Sequence, residues 1–277
     1  MLAHAYAFVI AARWMRVLHT KLMSQLEKGN TALLPVVHAY SSGLKAHSTL
    51  TAYEGIDRAR QSIGGLGYLA VSGLTDFHKT HPSAGIIIEG ETWLLAGQTT
   101  KFLVREYGKA KDKASVDLME PEIRATLSYL HEIDTSKHWP PARKHDIFDT
   151  QNQIQLLAHR ARRLVAEAAD HKDPEAPDSL DHGRAYRAMT AHSQLLIAQL
   201  FANFLHDPTS LKDASSCKTV LDNLCQLYFF DVVESNMGDY TEDWFVTPEQ
   251  ALWLREGKLE LVGKVRKDAV ALVDAFE

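Results

Sequence analysis

The stretch AYAFVIAARWMRVLHTKLMSQL, residues 5–26, decides the class of fold. Ala5, Phe8, Val9, Ala12, Met15, Leu18, Leu22 and Leu26 recur at three- and four-residue steps, which places them on one face of a long helix. Gly29 can close that helix, and Asn30 or Thr31 can cap the next. The same periodicity predicts further helices over about 34–63, 91–109, 122–132, 149–169, 183–205, 211–234 and 248–276, the last open to a break near Gly257. Breakers fall between them at Gly64-Gly65, Pro140-Pro141, 173–177 and Asp207-Pro208. No stretch alternates like a strand. The expectation is an all-α fold.

Two segments interrupt the pattern. Gly64, Gly65, Gly67, Gly73, Pro82 and Gly85 crowd into 64–85, which reads as an irregular region where the chain turns sharply or something approaches the backbone. A charged connector at 109–120 suggests a boundary between two helical domains, 1–112 and 113–277.

The 277 residues are 45% hydrophobic and 23% charged with a net charge of −5, an ordinary globular balance without a basic signal for nucleic acid. Residues 1–10 are apolar, but Arg13 and Arg16 follow within the same helical stretch, so neither a signal peptide nor a membrane span is expected. Both ends stop in mid-pattern, as if cut. Cys217 and Cys225, eight apart and expected on one helix, read as reduced thiols of an intracellular protein and most simply as small core residues.

Four constellations carry candidate chemistry. Gln61-Ser62-Ile63-Gly64-Gly65-Leu66-Gly67-Tyr68 ends a helix in glycines, leaving backbone N–H groups open to a phosphate, although a plain helix stop explains it alone. Ile86-Ile87-Ile88-Glu89-Gly90-Glu91-Thr92-Trp93 sets a carboxylate beside three isoleucines at a helix start. Desolvation there would make Glu89 a usable base, and the plainer reading is an acid facing the helix dipole. His78 and His81 lack a third nearby ligand, which argues against a metal site. Arg160, Arg162 and Arg163 suit a phosphate clamp, but a solvated helix face is simpler. Serine-nucleophile elbows, phosphate loops, Cys-x-x-Cys pairs and Rossmann glycine runs are absent.

Read together, the first two constellations resemble a known signature. Gly64-Gly65-Leu66-Gly67-Tyr68, Ser72-Gly73-Leu74, Pro82, Glu89-Gly90-Glu91, Gln98 and Phe102-Leu103 follow the order and spacing of the peroxisomal acyl-CoA oxidase family. Leu34-Pro35, His38-Ala39, Gly43-Leu44-Lys45-Ala46 and Glu54-Gly55-Ile56 upstream, and Gly238-Asp239-Tyr240 and 268–276 near the end, are also similar to it. Ile63, Leu66, Ile88, Thr92 and Lys101 stand where the family usually has Cys, His, an aromatic, Asn and Arg.

The resemblance implies an all-α chain: a helical bundle of the acyl-CoA oxidase C-terminal type, then a second helical domain. The N-terminal helical and β-barrel domains that hold most of the flavin are expected to be missing. It implies FAD as cofactor, acyl-CoA and molecular oxygen as substrates, a homodimer and a peroxisomal location. Glu89 is implied as catalytic base, Ile88 and Gly90 as substrate contacts, and Gln61, Gly64, Gly65, Gly67, Glu91 and Thr92 as cofactor contacts. Were 89–91 helical, Glu91 would point about 200° away from Glu89. An acyl-CoA dehydrogenase and a non-catalytic helical dimerisation or partner-binding module are the alternatives.

Overall fold

The computed structural model describes residues 1–110, 121–131, 138–173, 176–212 and 215–276. Eleven α-helices occur among them: α1 Leu2–Leu26, α2 Leu34–Ser62, α3 Leu74–Gly85, α4 Thr92–Ala110, α5 Pro121–His131, α6 Thr150–Asp170, α7 His182–His206, α8 Lys218–Ser235, α9 Met237–Thr241, α10 Pro248–Val265 and α11 Ala269–Asp274. The all-α expectation holds. A short antiparallel strand pair, β1 Lys172–Asp173 with β2 Ala176–Leu180, sits where only a breaker was expected. It is too short for periodicity to reveal.

Three helix expectations need correction. The supposedly irregular 64–85 holds short 3₁₀ turns at Gly64–Gly67 and Ala70–Ser72, then the full helix α3. Gly73 and Gly85 bound that helix rather than break it. Pro82 lies inside it and removes the N–H that would meet the His78 carbonyl, and the Ser83 hydroxyl donates to that carbonyl instead at 2.9 Å. Residues 211–212 form a turn and Ser215–Cys217 a 3₁₀ turn, and α8 starts at Lys218 with Cys217 as its N-cap. α10 runs unbroken through Gly257, and the interruption falls at the 3₁₀ turn Arg266–Asp268. Gly257 serves packing: a Cβ there would lie 2.9 Å from the Phe230 ring.

The expected division into 1–112 and 113–277 follows the charged connector, of which 111–120 lies outside the described residues. By contact the chain forms two discontinuous units: Met1–Val17 with Ala110–Arg163 and Gln194–Glu277, and Leu18–Lys109 with Leu164–Ser193. The divisions fall inside α1, α6 and α7 and at the last residue of α4, so each unit is built from more than one stretch of sequence.

In the second unit, α2, α4 and α7 approach closely through small residues. A Cβ on Gly43 would sit 3.0 Å from Ser193 Oγ and 3.1 Å from the Thr99 methyl. Thr99 Oγ1 donates to the Ala39 carbonyl at 3.0 Å and Thr100 Oγ1 to that of Ala185 at 2.8 Å, so buried hydroxyls pin α4 on both sides. Ala46, Leu95, Ala96 and Met189 pack beside them with Tyr186 at the margin. In the first unit, the fully buried Trp139 donates its indole N–H to Asn152 O at 2.7 Å, and Gln250 Nε2 donates to Trp139 O and Pro141 O. Thr247 and Gln250 form a reciprocal capping box at the start of α10, with Pro248 in the first turn.

Candidate functional site

The site is built around the turn that leads from α3 into α4. Ile87 and Ile88 donate their N–H groups to Ala84 O and close the end of α3. Glu89 follows with φ of 63° and Gly90 with φ of 101°. A left-handed φ is unfavourable for glutamate, and such conformations persist where surrounding contacts enforce them. Gly90 is required twice: its φ is open to glycine, and a Cβ would lie 2.9 Å from Leu95 Cδ2. Leu95 is buried, so the α4 core sets how closely the turn approaches. From α2, Lys45 Nζ donates to Gly90 O at 2.6 Å.

Glu91 ends the turn as the cap of α4. Its carboxylate accepts the N–H of Trp93 at 2.9 Å and that of Leu94 at 2.5 Å. The acid that caps the start of α4 is thus Glu91. The helical comparison of the two glutamates does not apply, since neither lies within α4. What separates them is that Glu91 is committed to backbone donors whereas Glu89 lines an open groove with Lys45, Thr49, Thr80, His81 and Ile88. The three isoleucines do not bury Glu89 as expected: Ile87 is 66% and Ile88 61% exposed, and Glu89 is exposed too.

The glycine run lies at the end of α2. Gly64 and Gly65 are exposed with open space where a Cβ would stand, so a flat or phosphate-bearing group can reach their backbone. Gly67 differs. It is buried, and a Cβ would fall 1.9 Å from Arg60 O, so packing alone demands glycine there. Thr75 Oγ1 donates to Gly67 O at 2.9 Å and fastens the turn to α3. Gln61 Nε2 donates to Asp57 Oδ2 at 2.6 Å, and Arg60 Nη2 reaches Asp57 Oδ1 at 2.5 Å. Those two donors hold the Asp57 carboxyl below its usual range.

The other candidates resolve differently. His78 and His81 sit on α3, where His78 lies against Tyr53 and His81 against Phe77. Among the described residues no group of three or more His, Cys, Asp or Glu could hold a metal. Arg160 is neither a clamp nor a solvated cation. It is 2% exposed and donates to Asp239 Oδ2 at 2.6 Å, Gln194 Oε1 at 2.6 Å and Asn236 Oδ1 at 2.7 Å. Arg163 donates to Glu242 Oε2 at 3.0 Å and to Asp239 O at 2.6 Å. Cys217 and Cys225 are both free thiols. Burial pushes the Cys225 thiol up to about 12, whereas Cys217 is exposed and not the core residue expected. No helix among the described residues is long and apolar enough to cross a membrane.

Sequence reasoning missed Lys45, Thr49 and His81 as neighbours of Glu89. Nothing local ties Lys45 to a turn 45 positions away.

Residues 1–104 match the family described as acyl-CoA oxidase, C-alpha1 domain, and residues 149–277 match the family described as acyl-CoA oxidase. Peroxisomal acyl-coenzyme A oxidase 1 of Phascolarctos cinereus is 30% identical over 291 residues, covering 100% of this chain and 42% of that protein. The chain thus spans about two fifths of the length of its curated relatives. Among solved structures, Arabidopsis thaliana acyl-CoA oxidase 1 superposes with a TM-score of 0.87 at 27% identity, covering 99% of this chain and 41% of that one. Acyl-CoA oxidase-1 of Caenorhabditis elegans, complexed with FAD and ATP, has the same fold at a TM-score of 0.83 and 24% identity, covering 99% and 40%. Since relatives of one family align with the chain from end to end and a member shares its fold, the chain belongs to the acyl-CoA oxidase family and corresponds to its C-terminal helical portion.

Proposed function

We propose that this chain is the base-bearing helical portion of a flavin-dependent acyl-CoA oxidase that converts acyl-CoA to trans-2-enoyl-CoA with formation of hydrogen peroxide. The observation that carries it is the 86–91 turn, where an unengaged, groove-lining carboxylate sits next to one committed to a helix cap. Glu89 takes the α-proton of the acyl-CoA. Its own backbone N–H holds the thioester carbonyl, stabilising the enolate-like charge, and Ile88 and Gly90 flank the substrate. FAD, held beside Gln61, Gly64, Gly65 and Thr92, would supply a two-electron acceptor for the hydride of the β-carbon, to be regenerated by molecular oxygen, which with those two electrons and two protons, one of them the proton left on Glu89, becomes hydrogen peroxide. Gln61, Gly64, Gly65 and Thr92 face the cofactor. Gly67 and Glu91 act behind them by fixing the two turns. A homodimer places the glycine turn beside the flavin of the neighbouring subunit, and the setting is the peroxisome.

Desolvation of Glu89 then comes from bound substrate and from parts of the enzyme outside this chain, because the exposed isoleucines do not supply it. The match of 149–277 to acyl-CoA oxidase favours the oxidase over a dehydrogenase. The exposed apolar residues between Ile63 and Leu94 suit docking within the larger enzyme, and equally a helical partner-binding module without catalysis.

Glu89→Gln tests the choice. It belongs in a flavin-loaded chimera in which an acyl-CoA oxidase relative supplies the length this chain does not span. The amide keeps the shape but cannot accept the α-proton, so flavin reduction in a single turnover falls by about 10²–10⁴-fold with flavin content unchanged. Glu91→Gln costs much less, since a neutral oxygen can still cap α4. Normal reduction by Glu89→Gln, or a dead Glu91→Gln beside an active Glu89→Gln, overturns the assignment.

A further inference from the structure

We propose that Lys45 is a positioning residue for Glu89: its ammonium, hydrogen-bonded to the Gly90 carbonyl, holds the left-handed turn that aims the Glu89 carboxylate into the groove. The inference rests on the reading of Glu89 as the base.

Three features lead to it. Glu89 at φ of 63° adopts a conformation that glutamate does not choose on its own, so the turn needs external restraint. Most restraints come from nearby in sequence: Ala84 O receives the amides of Ile87 and Ile88, and Glu91 caps the helix after the turn. Lys45 acts from α2, 45 positions away, at 2.6 Å. A charged donor to a carbonyl is the stronger kind of hydrogen bond. Its base is firm, because Ala46, the next residue on α2, is fully buried against Leu95 and Ala96 of α4. Leu95 is also the side chain that a Cβ on Gly90 would strike. The core that anchors Lys45 is therefore the core that limits where Gly90 can sit. Reach and wedge together fix the Gly90–Glu91 peptide, and with it the direction in which Glu89 leaves the turn.

Lys45 also lines the groove beside Glu89, with His81 of α3. A role through charge and a role through position are separable. Charge acts on the ionisation of Glu89 and moves the acid limb of the rate profile. Position lowers the rate at every pH and leaves the limb where it is.

The test uses Lys45→Met, which keeps an aliphatic stem and removes the donor. In the 277-residue chain without flavin, amide hydrogen exchange at 93–95, whose N–H groups all donate to Glu91, quickens in Lys45→Met and stays slow in Lys45→Arg, which retains a donor. In the flavin-loaded chimera, Lys45→Met lowers the rate of flavin reduction by about 10-fold or more, as small misplacements of reacting groups do. KM for acyl-CoA changes little, the acid limb does not move, and Lys45→Arg restores most of the rate. Should Lys45→Met not fold, Lys45→Gln serves, being neutral and too short to reach. Unchanged exchange with an unchanged rate overturns the proposal, as does a shifted acid limb whose plateau recovers at high pH. If Glu89→Gln is inactive while Lys45→Met is normal, the base assignment stands and only Lys45 falls. A fully active Glu89→Gln removes the base assignment itself.

Discussion

The surroundings of Arg160 and the segment from Ile63 to Leu94 treat their side chains in opposite ways. Around Arg160, a buried guanidinium meets Asp239, Gln194 and Asn236 within 2.7 Å, and the aromatic core beside it is closed, with Tyr228, Phe230 and Tyr240 fully buried. Between Ile63 and Leu94, apolar side chains stand in the open, among them Tyr68 at 79% and Val71 at 84% exposure, and Glu89 holds a backbone angle that glutamate disfavours. The first region is explained by folding alone. Folding alone does not explain the second. Exposed apolar surface and retained strain there are what the proposed docking within a larger enzyme would use.

Removing Arg160 is the strongest way to break that contrast. Arg160→Met leaves the Asp239 carboxylate without its principal cation in a largely buried setting, and breaking such a pair costs about 3–5 kcal/mol. The denaturant midpoint of the chain, followed by circular dichroism, should fall accordingly. A loss below about 1 kcal/mol would mean that the network does not hold the fold, and would reopen the phosphate-clamp reading of the cluster.

His192 sharpens the contrast on the other side, since it shows that the second unit also has a closed interior. It is 1% exposed, with its ring 5.2 Å from that of Tyr40, and burial pushes its pKa down to about 3. A depressed histidine is neutral when folded and protonates when unfolded. Stability from this source is complete above the unfolded value of about 6.5 and is lost as pH falls toward the folded value. Between pH 8 and pH 5 the loss is about 2 kcal/mol by that linkage. His192→Phe, which keeps a ring and removes the proton site, should flatten this slope in urea titrations at the two pH values. An equal slope in both proteins would place the acid sensitivity elsewhere.

What the sequence revealed divides along the same line between local and distant physics. The helices are legible because apolar periodicity is a property of neighbouring residues. Gly257 misled because its reason is Phe230, not its neighbours. α3 was hidden by glycines that proved to bound it. The Glu89 turn is legible as a carboxylate after three isoleucines and gains weight through the resemblance, but its environment is not legible: three consecutive isoleucines suggest burial, and only tertiary structure decides whether anything covers them. Arg160 reads as a surface cation in sequence because its partners Asn236 and Asp239 lie 76 and 79 positions away. Gly67 and Gly64 look alike as letters, yet one is required by Arg60 O and the other faces open space.

The smallest expected effect is the most informative about the open segment. Leu66 is 58% and Val71 84% exposed, so Leu66→Ser and Val71→Ser remove little that folding has buried in this chain. Exposed substitutions away from caps, cores and strained backbone change stability by about 0.5 kcal/mol or less. The urea midpoint of the chain should therefore stay within that margin for either variant. In the flavin-loaded chimera the same substitutions should loosen flavin retention, because there the apolar side chains gain partners. A loss above about 1.5 kcal/mol in the chain alone would be the size expected for burying a Val or Leu side chain. It would show that these residues already pack within the unit, and the distinction between a closed region and an open one would collapse.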